Sequence, residues 1–138
     1  MASGTDLLRI ENLDVVFSIF GDQLRVVKGA NLRILPGKVT ALVGESGSGK
    51  SVISQTIMGI LPHQARASGS ILFTDPQDGT ATDILQLPPD GIEMRALRGS
   101  RMATIFQEPM TSLSPLHTVG NQISEVLKIH TDCPQEER

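Results

Sequence analysis

Two aromatic residue types are missing altogether: the 138-residue chain has no Trp and no Tyr, and only four Phe. That excludes the stacking platforms on which single-strand nucleic-acid binders lay successive bases. It also makes Phe17, Phe20, Phe73 and Phe106 worth following individually. Cysteine is nearly absent too; Cys133 stands alone, so no disulfide can form within the chain. Positive charge is not in excess, since 12 Lys and Arg against 15 Asp and Glu give a net charge of −3. That balance argues against a nucleic-acid partner. Long apolar runs are also missing. Stretches such as Ala41 to Val43 fall far short of the roughly 20 residues a membrane span requires. Asp6, Arg9 and Glu11 interrupt any secretory apolar region at the N-terminus. What is present, 39% hydrophobic and 20% charged residues, suits one folded domain with a real core and a cytosolic setting.

The pattern along the chain alternates strand and helix signals. "LLRIENLDVVF" (7–17) reads as a strand and "LRVVKGANLRIL" (24–35) as a second strand or pair of strands, joined by a hairpin turn in "SIFGDQ". "PGK" (36–38) is a turn, and "VTALVG" (39–44) is a short apolar run that reads as a buried strand. "SVISQTIMGI" places Val52, Ile53, Thr56, Ile57 and Ile60 on one helical face, stopped by Gly59 and Pro62. "GSILF" (69–73) and "DILQL" (83–87) read as short strands around a polar loop. "IEMRALRG" (92–99) reads as a short helix ended by Gly99, "RMATIFQ" (101–107) as a strand and "VGNQISEVLK" (119–128) as a helix. The last residues are polar and are expected to fray.

Gly44-x-x-x-x-Gly49-Lys50-Ser51 fits the phosphate-loop pattern G-x-x-x-x-G-K-[ST]. The chemistry accounts for each position. A polyphosphate is held by backbone N–H groups converging on its oxygens, and Gly44, Gly47 and Gly49 keep that approach open and permit positive φ. The helix that starts near Lys50 turns its unpaired N–H groups toward the same oxygens. Lys50 supplies a point charge to the β- and γ-phosphates, and the Ser51 hydroxyl can ligate a bridging Mg²⁺. The contact set is Gly44, Glu45, Ser46, Gly47, Ser48, Gly49, Lys50, Ser51 and Val52, with the Glu45 side chain directed to solvent.

The segments "LLRIENLDVVF", "VVKGANLRILPGKVTALVGESGSGKSVISQTIMGILP" and "MATIFQEPMTSLSPLHTVGNQISE" together resemble the ATP-binding subunits of ABC transporters. "SGSGKSVISQTIMGILP" and "FQEPMTSLSP" are similar to the branch that energises oligopeptide, dipeptide and nickel uptake in prokaryotes. The resemblance implies an α/β fold of the P-loop NTPase, ABC ATPase type. Residues 1–138 would be the N-terminal portion of one ATP-binding domain, with an antiparallel β subdomain and an incomplete parallel core sheet. It implies an ATPase using ATP and Mg²⁺, with Lys50 and Gln107 in catalytic roles and Ser51 and Gln107 near the metal. Phe17 would stack on adenine, with Phe20 as the other candidate. The loop region from Gln107 to Pro115 would face the membrane subunits. Further partners would be a second ATPase domain or subunit and, indirectly, a solute-binding protein. The setting would be cytoplasmic, peripheral on the inner face of the membrane.

The same resemblance predicts absences. The family's domain is longer, and no apolar strand ending in Asp-Glu and no L-S-G-G signature occurs in this sequence. His117 is not the family's switch histidine, and His63, His117 and His130 lack metal-ligand spacing and read as surface residues. Asp75, Asp78 and Asp83 read as solvated turn residues. The chain is thus expected to be truncated and poor at turnover on its own. Without neighbouring strands, "VTALVG" is expected to expose apolar faces and leave the chain marginal, aggregation-prone or partnered. A second reading is a non-catalytic nucleotide-binding or regulatory fragment. A GTPase should show N-K-x-D, which is absent, and a small-molecule kinase leaves "FQEPMTSLSP" unexplained.

Overall fold

In "LRIENLDVVFSI" the apolar residues fall at Leu8 and Ile10, then at Leu13 and Val15, so a strict alternation slips phase at Asn12. The computed structural model, which describes residues 6–107 and 113–131, shows how that slip is absorbed. Strand β1 (Leu8–Ile19) carries a bulge there, with Asn12 at φ 49° and the pairing register shifting on both sides. A single extra residue reverses which side chains face which way. Leu8, Ile10, Leu13 and Val15 therefore share one face, and all four are buried. The Asn12 N–H donates to Asn31 Oδ1 at 3.0 Å, which satisfies a donor the ladder has dropped.

Strand β2 (Asp22–Ile34) pairs antiparallel with one edge of β1, and β3 (Ala65–Thr74) with the other. A short β4 (Ala81–Asp83) adds to β3, giving the order β2-β1-β3-β4. Phe20 and Gly21 turn the β1–β2 hairpin at φ 51° and 94°. Ile71 and Phe73 of β3 lie opposite Ile10 and Leu8, so the buried stripe continues across the sheet. Val27, Ala65, Ile84 and Met94 complete the buried apolar set. Each buried Val, Leu, Ile, Phe or Met side chain contributes about 1.5–3 kcal/mol when fully removed from water. Gly69 faces the bulge at φ 110°; a Cβ there would meet Asn12 O at 2.5 Å and Glu11 O at 2.7 Å.

Charged groups fasten the strand ends. Arg33 Nε donates to both Asp6 oxygens at 3.0 and 2.9 Å, and its Nη2 to Asp6 Oδ1 at 2.7 Å. These bonds hold the Asp6 carboxyl below its ordinary value and raise Arg33. Asp14 accepts from the Arg25 guanidinium and from Gly29 N–H at 2.9 Å, and is lowered for the same two reasons in that order.

Helix α1 (Lys50–Ile57) and helix α2 (Ile92–Leu97) follow the expected positions, as does helix α3 (Val119–His130). The described residues divide between Ala96 and Leu97 into two compact units. In the second unit Thr118 caps α3, accepting from Asn121 N–H at 3.2 Å. Gly99 lies so close to the His130 ring that an added Cβ would sit 2.3 Å from Nε2.

Three expected strands do not form as read. Residues 39–44 enter no ladder, and Val39 and Val43 are 98% and 89% exposed. Residues 101–107 make only an isolated parallel bridge from Arg98 to Met102, and Ile105 is 99% exposed. A strand exists only where a second backbone continues the exchange of bonds, and among the described residues no ladder is built at either segment, Arg101 and Met102 instead bonding back to Leu97 O. The antiparallel subdomain is thus present, while no parallel sheet is formed among the described residues. The third correction is local. Residues 84–86 form a 3₁₀ turn, because Asp83 Oδ1 accepts from Leu85 N–H at 3.1 Å and caps it. Asp83 also accepts from Ser70 Oγ and Ile71 N–H, so it is a half-buried structural carboxylate and not a solvated turn residue. Asp75 and Asp78 are turn residues as expected, accepting from Gln77 and Thr80 N–H. Strand β3 also begins earlier than read, at Ala65.

Candidate functional site

The loop of residues 44–49 is built by small residues that let backbone and side chains approach closely. Ser48 N–H donates to Glu45 O at 3.2 Å, closing a turn through Ser46 and Gly47, with Gly47 at φ 78°. Gly44 leaves room for the Ser48 side chain, whose Oγ would lie 2.6 Å from a Cβ at residue 44 and would have to turn away from it. Gly49 is buried at φ 89° against β2, where a Cβ would meet Val26 O and Val27 Cγ2, both at 3.3 Å. The loop is thereby seated on the hairpin by its last glycine.

Gly49 is also the residue that starts α1, and no side chain caps the helix. Its carbonyl accepts from Ile53 N–H at 3.0 Å, the first regular helical bond. The N–H groups of Lys50, Ser51 and Val52 precede that bond and have no carbonyl acceptor within the helix. With the positive end of the helix dipole they form a natural anion-binding terminus. Ser51 is exposed on the first turn. Lys50 is half-buried, and its Nζ donates to Gly44 O at 2.7 Å, Glu45 O at 2.5 Å and Ser48 Oγ at 3.1 Å. The ammonium thus sits within the curve of the loop. Downstream, Thr56 Oγ1 bonds Val52 O at 2.6 Å and is buried, and Gly59 at φ 62° ends the helix as read.

The two candidate aromatics occupy different settings. Phe17 lies on β1 opposite Leu24 and Ala65, two residues beyond Val15 and therefore on the same face. Val15 is paired with Val27, whose methyl lies beneath Gly49. Phe17 thus shares the face on which the loop is seated, and is half-buried. Phe20 forms the hairpin tip and is fully exposed. Glu45 is exposed, as read.

Gln107 belongs to the second unit and is exposed, after the unpaired residues 103–106. Residues 108–112 of the expected partner-facing loop, and Cys133, lie outside the described residues. Beyond them, Gln122 clamps the turn before α3: Oε1 accepts from Ser114 N–H at 2.8 Å, and Nε2 donates to Ser114 O and His117 O. His117 and His63 are exposed, and no helix among the described residues is long and apolar enough to cross a membrane.

The sequence pattern located every loop residue but not the Ser48 side chain's part in it. In G-x-x-x-x-G-K-[ST] that position is unconstrained, and only the fold brings its hydroxyl to Lys50.

A glycine-bounded loop that ends in Lys-Ser at the head of an uncapped helix is the arrangement of phosphate-loop proteins. Residues 27–137 match the family model described as ABC transporter, and the chain belongs to that family. It is 40% identical over 124 residues to the oligopeptide transport ATP-binding protein OppD of Mycobacterium tuberculosis, covering 90% of this chain and 19% of that protein. It is 47% identical over 126 residues to the peptidoglycan transport ATP-binding protein YejF of Agrobacterium fabrum, covering 90% of this chain and 22% of that protein. With the dipeptide transport ATP-binding protein DppD of Bacillus subtilis the identity is 42% over 126 residues, covering 90% of this chain and 35% of that protein. The chain therefore spans between about a fifth and about a third of these relatives' lengths.

Proposed function

We propose that this chain is the N-terminal portion of a single ATP-binding domain, residues 1–138, from the ATP-binding component of a peptide-type ABC importer. The observation that carries the reading is the loop of residues 44–51, with its lysine ammonium drawn into the curve and an uncapped helix start behind it. Membership of the ABC transporter family supports the nucleotide, and relatives named for oligopeptide and dipeptide transport support the branch.

Bound at the loop, Mg·ATP would supply the phosphoryl group whose transfer to water energises transport. The chain's own residues have distinct tasks. The N–H groups from Gly44 to Val52, including those of Glu45, Ser46, Gly47, Ser48 and Gly49, surround the phosphate oxygens. Lys50 exchanges its loop acceptors for phosphate oxygens and neutralises charge there. Ser51 offers the hydroxyl that can hold Mg²⁺, and Gln107 would supply an amide oxygen for the metal or the attacking water. Phe17 stacks on adenine; its place on the loop-bearing face favours it over Phe20 at the hairpin tip.

In the assembled importer the region from Gln107 to Pro115 meets the membrane subunits. A second ATPase domain or subunit faces the nucleotide, and a solute-binding protein feeds the membrane subunits. The complex places this chain on the cytoplasmic face of the membrane. Phosphoryl transfer needs several positioned groups at once, and Lys50, Ser51 and Gln107 are only part of such a set. The chain alone is therefore expected to bind nucleotide and to hydrolyse it poorly. A non-catalytic nucleotide-binding or regulatory role is the second reading, favoured by the unpaired, exposed residues 39–44 and 103–106.

The test is equilibrium binding of ATP with and without Mg²⁺. Lys50→Ala and omission of Mg²⁺ are each expected to weaken binding about tenfold or more, as loss of charge-assisted contacts requires. Affinity unchanged by both would sink the reading. Phosphate release measured on the same samples separates the two roles, since a catalytic subunit shows Lys50-dependent turnover and a binding fragment shows none.

A further inference from the structure

Strand β2 falls out of step with β1 twice, once on each side of Val27. From the Leu13–Ala30 pair to the Val15–Val27 pair, β1 advances two residues and β2 three. From there to the Val16–Arg25 pair, β1 advances one and β2 two, which leaves Val26 outside the ladder. Such bulges bend a strand and re-aim its groups. The stretch they re-aim is the one that meets the phosphate loop. Gly49 is buried over it, with Val26 O and Val27 Cγ2 each 3.3 Å from the place of a Cβ at residue 49. One carboxylate oxygen spans both bulges. Asp14 Oδ1 accepts from the Arg25 guanidinium on one side of Val26 and Val27, with Nε at 2.8 Å, and from Gly29 N–H at 2.9 Å on the other. Bonds to an ionised acceptor are about twice as strong as neutral ones. The hairpin's second carboxylate–guanidinium pair, Asp6 and Arg33, ties the far end, where Leu8, Arg9 and Ile10 pair with β2 in unbroken register.

We propose that Asp14 is a positioning residue for the phosphate loop: by tying Arg25 to Gly29 it holds Val26 and Val27 in the double bulge on which Gly49 is seated. The proposal rests on the phosphate-loop reading and adds to it a residue from outside the loop. Gly49 is the joint through which Asp14 acts. Its carbonyl takes the first helical bond, from Ile53 N–H at 3.0 Å, and it directly precedes the N–H groups of Lys50, Ser51 and Val52. A seat that shifts therefore changes how those N–H groups are aimed at an anion, although no loop residue has been altered. Both bonds favour the charged carboxylate, and Asp14 titrates below its ordinary value because of Arg25 first and the Gly29 N–H second. The Asp6–Arg33 pair has similar chemistry but holds no residue that touches Gly49, so it is the natural comparison.

Two measurements on the full chain test this. The first is amide hydrogen exchange at two bonded N–H groups, with no anion present. Ile53 N–H reports on Gly49, and Leu7 N–H, which donates to Ile34 O at 2.8 Å, reports on the far end of the hairpin. Asp14→Ala is expected to speed exchange at Ile53 several-fold more than at Leu7, and Asp6→Asn to do the reverse. Asp14→Asn keeps an oxygen for Gly29 N–H and should recover part of the protection at Ile53. Arg25→Ala opens one arm of the brace at an exposed side chain, and decides the question in the same way should Asp14→Ala fail to fold. The second measurement is binding of inorganic tripolyphosphate. Asp14→Ala is expected to weaken it about threefold to tenfold, the scale of one lost hydrogen bond to a charged group, and Asp6→Asn to leave it unchanged. Exchange at Ile53 that neither Asp14→Ala nor Arg25→Ala speeds would overturn the seat. Equal effects of the Asp14 and Asp6 variants on Ile53 and on binding would reduce Asp14 to general stability and overturn its positioning role. The expected exchange pattern with no tripolyphosphate binding by the unaltered chain would support the seat and sink the phosphate-loop reading instead.

Discussion

Residues 24–34 and residues 39–44 are near neighbours with similar side chains, and the first is a strand while the second is not. Val26, Val27 and Leu32 sit on β2, whose backbone is bonded to β1 along most of its length. Val39, Leu42 and Val43 have the same β-branched and apolar character, yet enter no ladder and stand exposed. The difference lies outside both segments. Strand propensity measures how well a residue fits a pleated, half-covered surface, and it yields a strand only when another backbone completes the bonds. β2 has that backbone a two-residue turn away. Residues 39–44 are followed by the phosphate loop and α1, neither of which can pair with them.

The largest expected effect breaks the paired region. Ile71 is fully buried opposite Ile10, and Ile71→Ala should cost about 2–5 kcal/mol in urea unfolding. Since a chain of this size has only about 5–15 kcal/mol in total, loss of cooperative unfolding is within that range. Next comes Gly69→Ala, which forces a methyl into carbonyl oxygens of the Asn12 bulge at positive φ. It should cost about 1–3 kcal/mol, the usual scale of backbone strain, in the same measurement. Midpoints unchanged by either variant would mean that the sheet does not hold the molecule together.

The Asp6–Arg33 pair gives a smaller effect with a definite sign. Because the folded carboxyl titrates below its ordinary value of 3.8, its contribution is present above that pH. It is lost as the pH falls through the lowered folded value. The urea midpoint of the unaltered chain should therefore drop in that acid range, and Asp6→Asn should remove this part of the drop while lowering the midpoint at neutral pH. The smallest effect belongs to the unpaired region. Val43→Thr should leave the unfolding midpoint within about 0.5 kcal/mol, since an exposed side chain loses little. The same change should reduce light scattering on concentration, because it breaks an exposed apolar edge. A large loss of stability would mean that residue 43 is covered in solution.

The site was legible to the degree that its chemistry is local. Gly44, Gly49, Lys50 and Ser51 were picked out by what a phosphate would need at each position, and the helix after them by three- and four-residue spacing. The β1–β2 hairpin followed from the Gly21–Asp22 turn signal between two apolar runs, although the turn itself falls on Phe20 and Gly21. Less local features escaped. The Asn12 bulge answers to Gly69 across the sheet, and Asp83 became a cap because Ile71 and Ser70 stand beside it. The Ser48 contact to Lys50 lies between these extremes, near in sequence but invisible in a pattern that leaves its position open.

Taken by itself, the sequence located the glycine-bounded loop of residues 44–51, the helix it opens and the hairpin turn. These depend on a few consecutive residues whose backbone freedom, charge and spacing act within one turn of chain. Tertiary structure alone decided which apolar runs became strands, where β1 had to bulge to keep one face dry, and which acceptors hold Lys50. Those outcomes depend on bonds between segments far apart in the chain, and an isolated segment carries no record of its partner.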